Sequence, residues 1–325
     1  MEKVSLEYQL STVAKDRVAF TRRFLALDYF VFGYTAYIAI FTAIFHETMS
    51  DPLSILALHA FIMTAMVLVP PRGAKWESLP IDGWTRHLRG FARFFRYSYP
   101  LLLVLFFFEE GHQTVNAMWS SAPHWFESYL YAADRWVFGA LPVFIMNSWV
   151  GPLADEIFHG FYLSYYFIFV GGVVFAWVGT KGSPQPAPGF QTTLTSVIIA
   201  FFLCFVWYPF LPARGPWENP EIMAAMTPFE GFVFVPLIER IIEHGAVSGG
   251  CFPSAHVAGA WGTVFGLAGF HRKVALVLGF FALGLSLACV YTRYHHSVDV
   301  AAGLTAALVG ALVSYKLTAS KTPTK

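Results

Sequence analysis

The sequence predicts an all-α fold, a polytopic transmembrane bundle of about eight spans. Two features of the composition predict it: 56% of the 325 residues are hydrophobic, and only 13% are charged. Soluble globular domains carry about 25% charged residues. The third feature is the arrangement of the apolar residues in long runs that charged or proline-rich segments separate. A net charge of +1 gives no basic field for nucleic acid, so the predicted surroundings are a lipid bilayer.

The predicted spans are the apolar runs that approach the length needed to cross a bilayer, about 20 residues. They cover 29–46, 52–70, 98–118, 153–178, 190–211, 255–270, 273–291 and 297–316. The third run is the weakest, because Glu109, Glu110 and His112 interrupt it. The tryptophan-rich stretch 120–144 is typical of an interfacial helix. The charged N-terminal residues do not resemble a signal peptide.

The distribution of basic residues predicts the orientation. With the N-terminus inside, all but four of the 21 lysines and arginines face the cytoplasm, and the four exceptions are Arg135, Arg214, Arg240 and Arg293. Positive residues favour the inner face of a membrane. Both termini are therefore expected in the cytoplasm. The loop 212–253 and the starts of the sixth and eighth spans are expected together on the outer face.

The stretch "YHHSVDV" places His295 four residues before Asp299, so that a helix brings both to one face. A carboxylate there can orient the imidazole and leave one ring nitrogen free as a nucleophile or a base. The simpler alternative is a polar pair that satisfies itself at a helix end. His296 is expected to point away from this pair.

The stretch "FPSAHVAG" places His256 at the start of a helix that Ser254 can cap. Helix N-termini bind anions. Arg214, between prolines in "YPFLPARGPW", and Arg293 carry planar guanidinium groups that suit phosphate oxygens. The simpler alternatives are an ordinary helix cap and arginines that reach lipid headgroups.

Taken together, these groups predict phosphoryl transfer through a phosphohistidine. Two histidines, a carboxylate and two arginines are expected on one face of the membrane. The arginines would hold a tetrahedral anion, one histidine would attack phosphorus, and the other would protonate the leaving oxygen.

Pro-Ser-Ala-His (253–256) and Arg-Tyr-His-x-x-x-Asp (293–299) resemble the second and third motifs of the type 2 phosphatidic acid phosphatase (PAP2) superfamily. Tyr-Thr-Arg-Tyr-His resembles most the branch that contains fungal inositol phosphorylceramide synthases and their bacterial relatives. The resemblance covers about residues 190–316 and extends less clearly from 98. It implies a six-helix core within 98–325, preceded by a region, 1–97, with a cytosolic amphipathic arm, two accessory spans and a basic loop.

The resemblance also implies roles for the site residues. His295 would be the nucleophile, oriented by Asp299, with His256 as the general acid. The phosphate would be held by Arg214, Arg293, Ser254 and the amides near Ser254. The sequence departs from the family's first motif, because no lysine stands shortly before Arg214 and Gly215 separates Arg214 from Pro216. These departures suit the synthase-like branch better than a simple phosphatidate phosphatase.

Polar residues elsewhere in the spans are candidates for a headgroup pocket. These are Glu109, Asp155 and His159, which could equally make contacts between helices. Three tyrosines that follow are expected to form an interfacial belt, namely Tyr162, Tyr165 and Tyr166.

Three functions remain open on the sequence. The first is a lipid-phosphate phosphatase or a phosphosphingolipid synthase, which would transfer the phospho-headgroup to a second lipid. The second is a lipid carrier without catalysis, although the sequence shows no internal repeat. The third is a metal hydrolase with His256, His295 and Asp299 as ligands, which the nearby arginines disfavour. The expectation is an enzyme without metal or cofactor. The lack of an Asn-x-Ser/Thr sequon favours a bacterial inner membrane with a periplasmic site.

Overall fold

A computed structural model describes residues 24–68, 83–119, 125–178, 187–246 and 248–319. These residues form helices and loops, with an isolated bridge between Ala213 and Gly250, so the all-α prediction is confirmed. The basic residues of the N-terminal arm, and Arg72, Lys75, Lys181, Lys321 and Lys325, lie outside the described residues.

The described residues fold into α-helices that follow one another along the chain. They are α1 (Ala26–Phe45), α2 (Pro52–Leu68), α3 (Gly83–Met118), α4 (Glu127–Phe138), α5 (Pro142–Asn147), α6 (Pro152–Tyr166), α7 (Gly172–Val178), α8 (Pro188–Trp207), α9 (Pro220–Ala224), α10 (Phe234–Gly245), α11 (Ala255–Ala268), α12 (Arg272–Tyr291) and α13 (Ser297–Ala319). A π-helical turn (Phe167–Gly171) joins α6 to α7, and a 3₁₀ turn (Pro216–Glu218) precedes α9.

Within the described residues, five helices are long and apolar enough to cross a membrane. They are α1, the continuous segment Pro152–Val178, α8, α12 and α13. The other three predicted spans also lie in helices: α2 has 17 residues, α11 has 14, and 98–118 falls inside the 36-residue α3. The chain is a membrane protein. Within the described residues its helices overlap all eight predicted runs, and five of the helical segments have the length and composition of a span.

The chain divides into two compact units. The first contains α1, α2 and the start of α3, and the second contains Phe45–Ser50 and everything from Phe94 onward. In the first unit, α1 buries Val31, Tyr34, Ile38 and Phe41. This spacing of three or four residues is that of a single buried helical stripe.

The core of the second unit is α8, which is buried along most of its length. Glycines allow α11 and α13 to approach its backbone. A Cβ atom at Gly266 would lie 2.6 Å from the Thr193 Cα, and one at Gly310 would lie 2.5 Å from the Ser196 carbonyl oxygen. Small residues at helix contacts are typical of membrane proteins, because backbone proximity increases van der Waals contact.

The predicted interfacial stretch forms α4 and α5, described from residue 125. Helix α4 buries Glu127, Leu130 and Asp134 on one face, while Trp136 on the other is 87% exposed. Gly139 ends the helix in the left-handed region, with φ 76°, and its N–H bonds the Arg135 carbonyl at 2.8 Å. This is a common way to close a helix.

Two carboxylates cap the N-termini of helices in the second unit. The Glu156 carboxylate accepts hydrogen bonds from the N–H groups of Phe232, Val233 and Phe234 at 2.7–2.9 Å, which caps the start of α10. Asp134 accepts from the N–H groups of Ser297 and Val298, both at 3.2 Å, and so caps α13. Helix N-termini have unpaired N–H groups that such acceptors satisfy.

Candidate active site

Main-chain hydrogen bonds join three loops at one end of the helices. The Ala213 N–H donates to the Gly249 carbonyl at 3.3 Å, and the Cys251 N–H donates back to the Ala213 carbonyl at 3.1 Å. The Trp217 N–H donates to the Arg293 carbonyl at 3.0 Å. The loop after α8, the loop before α11 and the turn before α13 therefore form one structural unit, which brings all three sequence motifs together.

His295 lies at the centre of this unit, with both ring nitrogens engaged. Its Nδ1 is 3.1 Å from the Cys251 carbonyl oxygen and 3.5 Å from Oδ2 of Asp299. Because a carbonyl oxygen only accepts, Nδ1 carries the proton and Nε2 is the unprotonated nitrogen that presents a lone pair. Burial lowers the pKa of His295 to about 4, so the imidazole is neutral at physiological pH.

His256 faces His295 from the first turn of α11. Its Nδ1 is 3.4 Å from Nε2 of His295, and its Nε2 is 3.1 Å from the Tyr162 hydroxyl. The Tyr165 ring lies 4.6 Å from the His256 ring. Tyr162 is 1% exposed, so its assignment to an interfacial belt is wrong. Tyr162 lies in the third turn of α6, where its hydroxyl contacts His256 instead of facing the membrane surface.

Ser254 connects the two histidine motifs. Its Oγ lies 3.2 Å from Nε2 of His295 and accepts from the Val257 N–H at 3.4 Å, as a helix cap. Its main-chain N–H donates to the Asp299 carbonyl at 3.1 Å. The start of α11 and the start of α13 are thus held at a fixed separation.

Asp299 is fully buried and is bonded to more than His295. Its Oδ2 accepts from the Cys251 thiol at 2.8 Å and from the His296 N–H at 2.7 Å, while its Oδ1 has no hydrogen-bond partner among the described residues. Burial raises the pKa of the Cys251 thiol, which keeps the thiol protonated and able to donate. The sequence indicated no role for Cys251, because no local spacing places its thiol against Asp299, which is 48 positions away.

Arg214 lies beside this centre and is paired with a carboxylate. Its Nε donates to Oε1 of Glu127 at 2.9 Å, its Nη2 also contacts Oε1, and its main-chain N–H bonds Oε2 at 3.1 Å. The guanidinium lies 4.8 Å from the Trp125 ring. The His296 ring, which is buried, contacts the Arg214 carbonyl at 3.1 Å. His296 thus joins the first and third motifs, a role the sequence did not indicate.

The Arg293 guanidinium is directed away from the histidines. Its Nη2 donates to the Thr227 carbonyl at 2.6 Å and to Oδ1 of Asn147 at 3.2 Å, and the group lies 3.9 Å from the Phe229 ring. Arg293 has a φ of 68°, a left-handed conformation that is uncommon outside glycine. The structure therefore separates the two predicted phosphate-binding arginines.

The predicted headgroup residues are also apart from the histidines. Glu109 is exposed on α3. Asp155 accepts from the Tyr291 hydroxyl and from the Glu230 N–H at 2.8 Å, and His159 Nδ1 donates to the Asp155 carbonyl at 2.7 Å. Asp155 and His159 form a buried cluster that joins α6 to neighbouring segments.

A cavity of about 280 Å³ opens beside the two histidines. Aromatic and aliphatic side chains form most of its wall, including Leu105 and Phe108 of α3, Tyr165 of α6 and Ile241 of α10. Asp155, His159 and Glu109 are not among the described residues that line it. An apolar cavity with a few convergent polar groups is the usual form of a small-molecule site.

A metal site is poorly supported by the donor set. Among the described residues, the ligand atoms of Cys251, His296 and Asp299 lie within 4.8 Å of one another, a different group from the predicted trio. The thiol in this group is protonated and bonded to the carboxylate. Metal ions bind the thiolate form of cysteine.

The comparison with protein families agrees with the motifs. A family model described as PAP2 superfamily matches residues 128–313. No curated protein matches the chain. The crystal structure of Aquifex aeolicus LpxE is similar to it with 18% sequence identity and a TM-score of 0.41, over 54% of this chain and 92% of that one. Since the family model covers more than half of the sequence, including His256, His295 and Asp299, the chain belongs to the PAP2 superfamily.

Proposed function

We propose that this membrane protein is a lipid-phosphate phosphatase or phosphotransferase that works through a phosphohistidine at His295. The observation that carries the proposal is the position of Nε2 of His295, which faces Ser254 Oγ at 3.2 Å and His256 Nδ1 at 3.4 Å beside an apolar cavity. A phosphate that enters from the cavity and replaces the direct contact between the two rings would have a nucleophile on one side and a proton donor on the other.

The first step forms an N–P bond and breaks a P–O bond. His256 enters this step as an imidazolium, protonated when the anionic phosphate binds. As the Nε2 lone pair of His295 attacks phosphorus, the proton on Nδ1 of His256 passes to the leaving oxygen and leaves a neutral imidazole. In that imidazolium the second proton, on Nε2, is donated to the Tyr162 hydroxyl oxygen 3.1 Å away. As His295 gains positive charge, the Cys251 carbonyl and the Asp299 carboxylate stabilise its Nδ1–H.

The second step returns the enzyme to its starting state. Water, or a lipid hydroxyl, attacks phosphorus and gives its proton to Nδ1 of His256, and the electrons of the broken N–P bond return to Nε2 of His295. Water yields inorganic phosphate or a phosphorylated headgroup, whereas a lipid hydroxyl yields a new phospholipid, as in an inositol phosphorylceramide-like synthase.

Positive potential for the phosphate comes from two sources in this proposal. The N-terminus of α11 opens on the cavity, where Ala255 and His256 line the wall, and helix N-termini stabilise anions. Arg214 adds a cation whose position the Glu127 carboxylate fixes. Arg293 acts as a positioning residue, because its contacts hold the turn that carries His295.

A trapping experiment tests the phosphohistidine. Purified protein is mixed with radiolabelled short-chain phosphatidate and quenched in alkali, which preserves phosphohistidine. We expect label on the wild type and none on His295→Asn, with turnover lost in that variant. A His295→Asn variant that turns over normally would refute the mechanism, and one that still moves lipid between leaflets would favour a carrier.

The leaving group tests the role of His256. His256→Asn should slow an alkyl phosphate far more than p-nitrophenyl phosphate, because p-nitrophenolate leaves without protonation. Equal losses on both substrates would exclude His256 as the general acid.

Sidedness is tested by labelling. With the site outside, Glu221→Cys on α9 should react with a membrane-impermeant maleimide in intact cells, and Lys273→Cys at the start of α12 should not. The reverse pattern would place the site on the cytoplasmic face.

A further inference from the structure

The cavity beside the histidines has a carboxylate in its wall. Glu218 lines it together with Trp217, Cys251, His256 and His295. None of the described lining residues is a lysine or an arginine. The wall near the site of chemistry is therefore apolar except for the histidines, a thiol, tyrosine hydroxyls and this acid.

The Glu218 carboxylate is held in a defined orientation. Its Oε2 accepts from the Ser248 hydroxyl at 2.6 Å, and its Oε1 accepts from the Gly215 N–H at 3.2 Å. Each carboxylate oxygen has two acceptor positions, so each retains one for a ligand. The donors belong to two of the loops that also form the catalytic centre, which ties Glu218 to His295 through the main chain.

The charge of Glu218 is only partly balanced by the protein. Arg214, the cation that acts on it, donates its guanidinium bonds to Glu127 instead. Burial, the larger influence, raises the pKa of Glu218. A partly buried carboxylate whose charge is not fully balanced is stabilised when a ligand brings a hydrogen-bond donor or a positive charge.

We propose that Glu218 selects substrates by binding a hydroxyl or ammonium group on the far side of the phosphate from the apolar tails. This inference rests on the proposed function, since it assumes a phosphate at His295. The bound group can belong to the lipid or to the acceptor. In the first case, the preferred substrate is a phosphodiester lipid with a polyol or primary-amine headgroup. In the second case, the lipid only donates phosphate, and the hydroxyl or ammonium group belongs to the acceptor molecule. A lipid diphosphate is disfavoured, because its second phosphate would approach the Glu218 carboxylate.

The chemistry behind this preference is the pairing of charged and polar groups in a confined space. A hydrogen bond between a carboxylate and a hydroxyl or ammonium group is stronger than one between neutral groups. A site built to bond such a group discriminates against ligands that lack it, because the buried acceptor then stays unpaired.

The test compares lipids that share the same short acyl chains. Purified full-length protein in nanodiscs is given phosphatidylinositol, phosphatidylethanolamine, phosphatidic acid and diacylglycerol pyrophosphate, and kcat/KM is measured for each. We expect the two diesters to exceed the pyrophosphate. In Glu218→Gln, the ratio of diester to phosphatidic acid kcat/KM should fall about tenfold, as expected for loss of a charge-assisted hydrogen bond. The control Glu221→Gln, at an exposed carboxylate of α9, should keep the wild-type ratio.

A second arm separates headgroup from acceptor. Wild type with phosphatidic acid is given inositol or ethanolamine, and transfer products are measured. If transfer products form and depend on Glu218, the group that Glu218 binds is on the acceptor. If no transfer products form, but the ratio of diester to phosphatidic acid kcat/KM depends on Glu218, the bound group is the lipid headgroup.

The inference is overturned if Glu218→Gln lowers kcat/KM equally for every lipid, which indicates only a structural role. It is also overturned if the wild type prefers the pyrophosphate. Thermal unfolding of each variant shows that the proteins compared are folded. Continued turnover in His295→Asn would instead overturn the proposed function, so the two failures are distinguishable.

Discussion

The carbonyl oxygen of Cys251 lies 3.1 Å from Nδ1 of His295, nearer than Oδ2 of Asp299 at 3.5 Å. The protonated nitrogen of the candidate nucleophile is therefore determined by the backbone as well as by the carboxylate. Asp299 in turn bonds the Cys251 thiol and the His296 N–H. The Cys251 carbonyl, the Asp299 carboxylate and the Cys251 thiol are therefore expected to have different effects on catalysis.

Asp299→Asn should reduce kcat without reversing the tautomer of His295. Loss of the corresponding aspartate in serine proteases costs about 10⁴-fold, because the histidine adopts the wrong tautomer. Here a carbonyl that can only accept remains, so we expect a loss on the order of 10²-fold. Steady-state kinetics check this. A loss as large as in the proteases would show that the carbonyl contact does not hold the tautomer.

Cys251→Ala should lower kcat by about tenfold, because Asp299 loses one of its donors. Cys251→Ser retains a donor and should recover most of the activity. Cys204→Ala, a buried thiol of α8, serves as the control and should leave kcat unchanged. If the alanine and serine variants are equally impaired, or if only the unfolding temperature changes, the thiol does not act through Asp299.

The Arg214–Glu127 pair predicts unequal stability losses. Arg214→Ala leaves the Glu127 carboxylate, whose side chain is 8% exposed, without its partner, and should cost about 1–3 kcal/mol. Glu127→Ala leaves an arginine that is 32% exposed and can reach water, so it should cost less. The double variant should be more stable than Arg214→Ala alone. Unfolding in detergent, followed with a denaturant series, measures all three, and strictly additive losses would contradict a coupled pair.

The low pKa of His295 predicts a neutral imidazole across the physiological range. Burial lowers this pKa from 6.5 to about 4. Because the folded protein binds this proton less readily than the unfolded chain, His295 costs stability as pH falls from about 6.5 towards 4. An NMR titration of isotope-labelled histidine, assigned with His295→Asn, should show a midpoint near 4. A midpoint near 6.5 would mean that the ring is solvated.

The space beside two core glycines predicts different effects of substitution by alanine. A methyl group at Gly310 would meet the Ser196 carbonyl at 2.5 Å, whereas one at Gly279 has its nearest contact, with Val264, at 3.6 Å. Gly310→Ala should therefore destabilise the protein by about 1–3 kcal/mol through overpacking. Gly279→Ala should be neutral or stabilising, since alanine favours helix. Thermal unfolding compares the two, and equal effects would refute close approach of α13 to α8.

Local spacing and topology were sufficient to predict the centre of the site. The four-residue interval between His295 and Asp299 is a helical turn, so their proximity follows from the sequence. His256 could be placed opposite because an even number of spans returns both motifs to one face. The helices could be predicted because an apolar run of about 20 residues satisfies its backbone hydrogen bonds inside a bilayer by forming a helix.

The remaining contacts depend on tertiary structure. Glu127 meets Arg214 from 87 positions away, and no sequence pattern marks that pairing. The Arg293 guanidinium bonds Asn147 and the Thr227 carbonyl, 146 and 66 positions away, and no sequence pattern signals these partners or the positive φ of Arg293.

Tyr162 was misjudged because an aromatic ring near a membrane surface can face either lipid or protein. The role of His296 could not be predicted because its partner, the Arg214 carbonyl, is 82 positions away.

The loops that carry the two histidines are tied to each other and to the Arg214 segment by bonds between peptide groups, such as Cys251 N–H to Ala213 and Ser254 N–H to Asp299. Replacing a side chain leaves these main-chain hydrogen bonds in place, so the loops can keep their positions while the side chains around the cavity change. A protein engineer could therefore exchange the residues around the cavity to alter which lipid is accepted, without first rebuilding the scaffold that aligns the reacting groups.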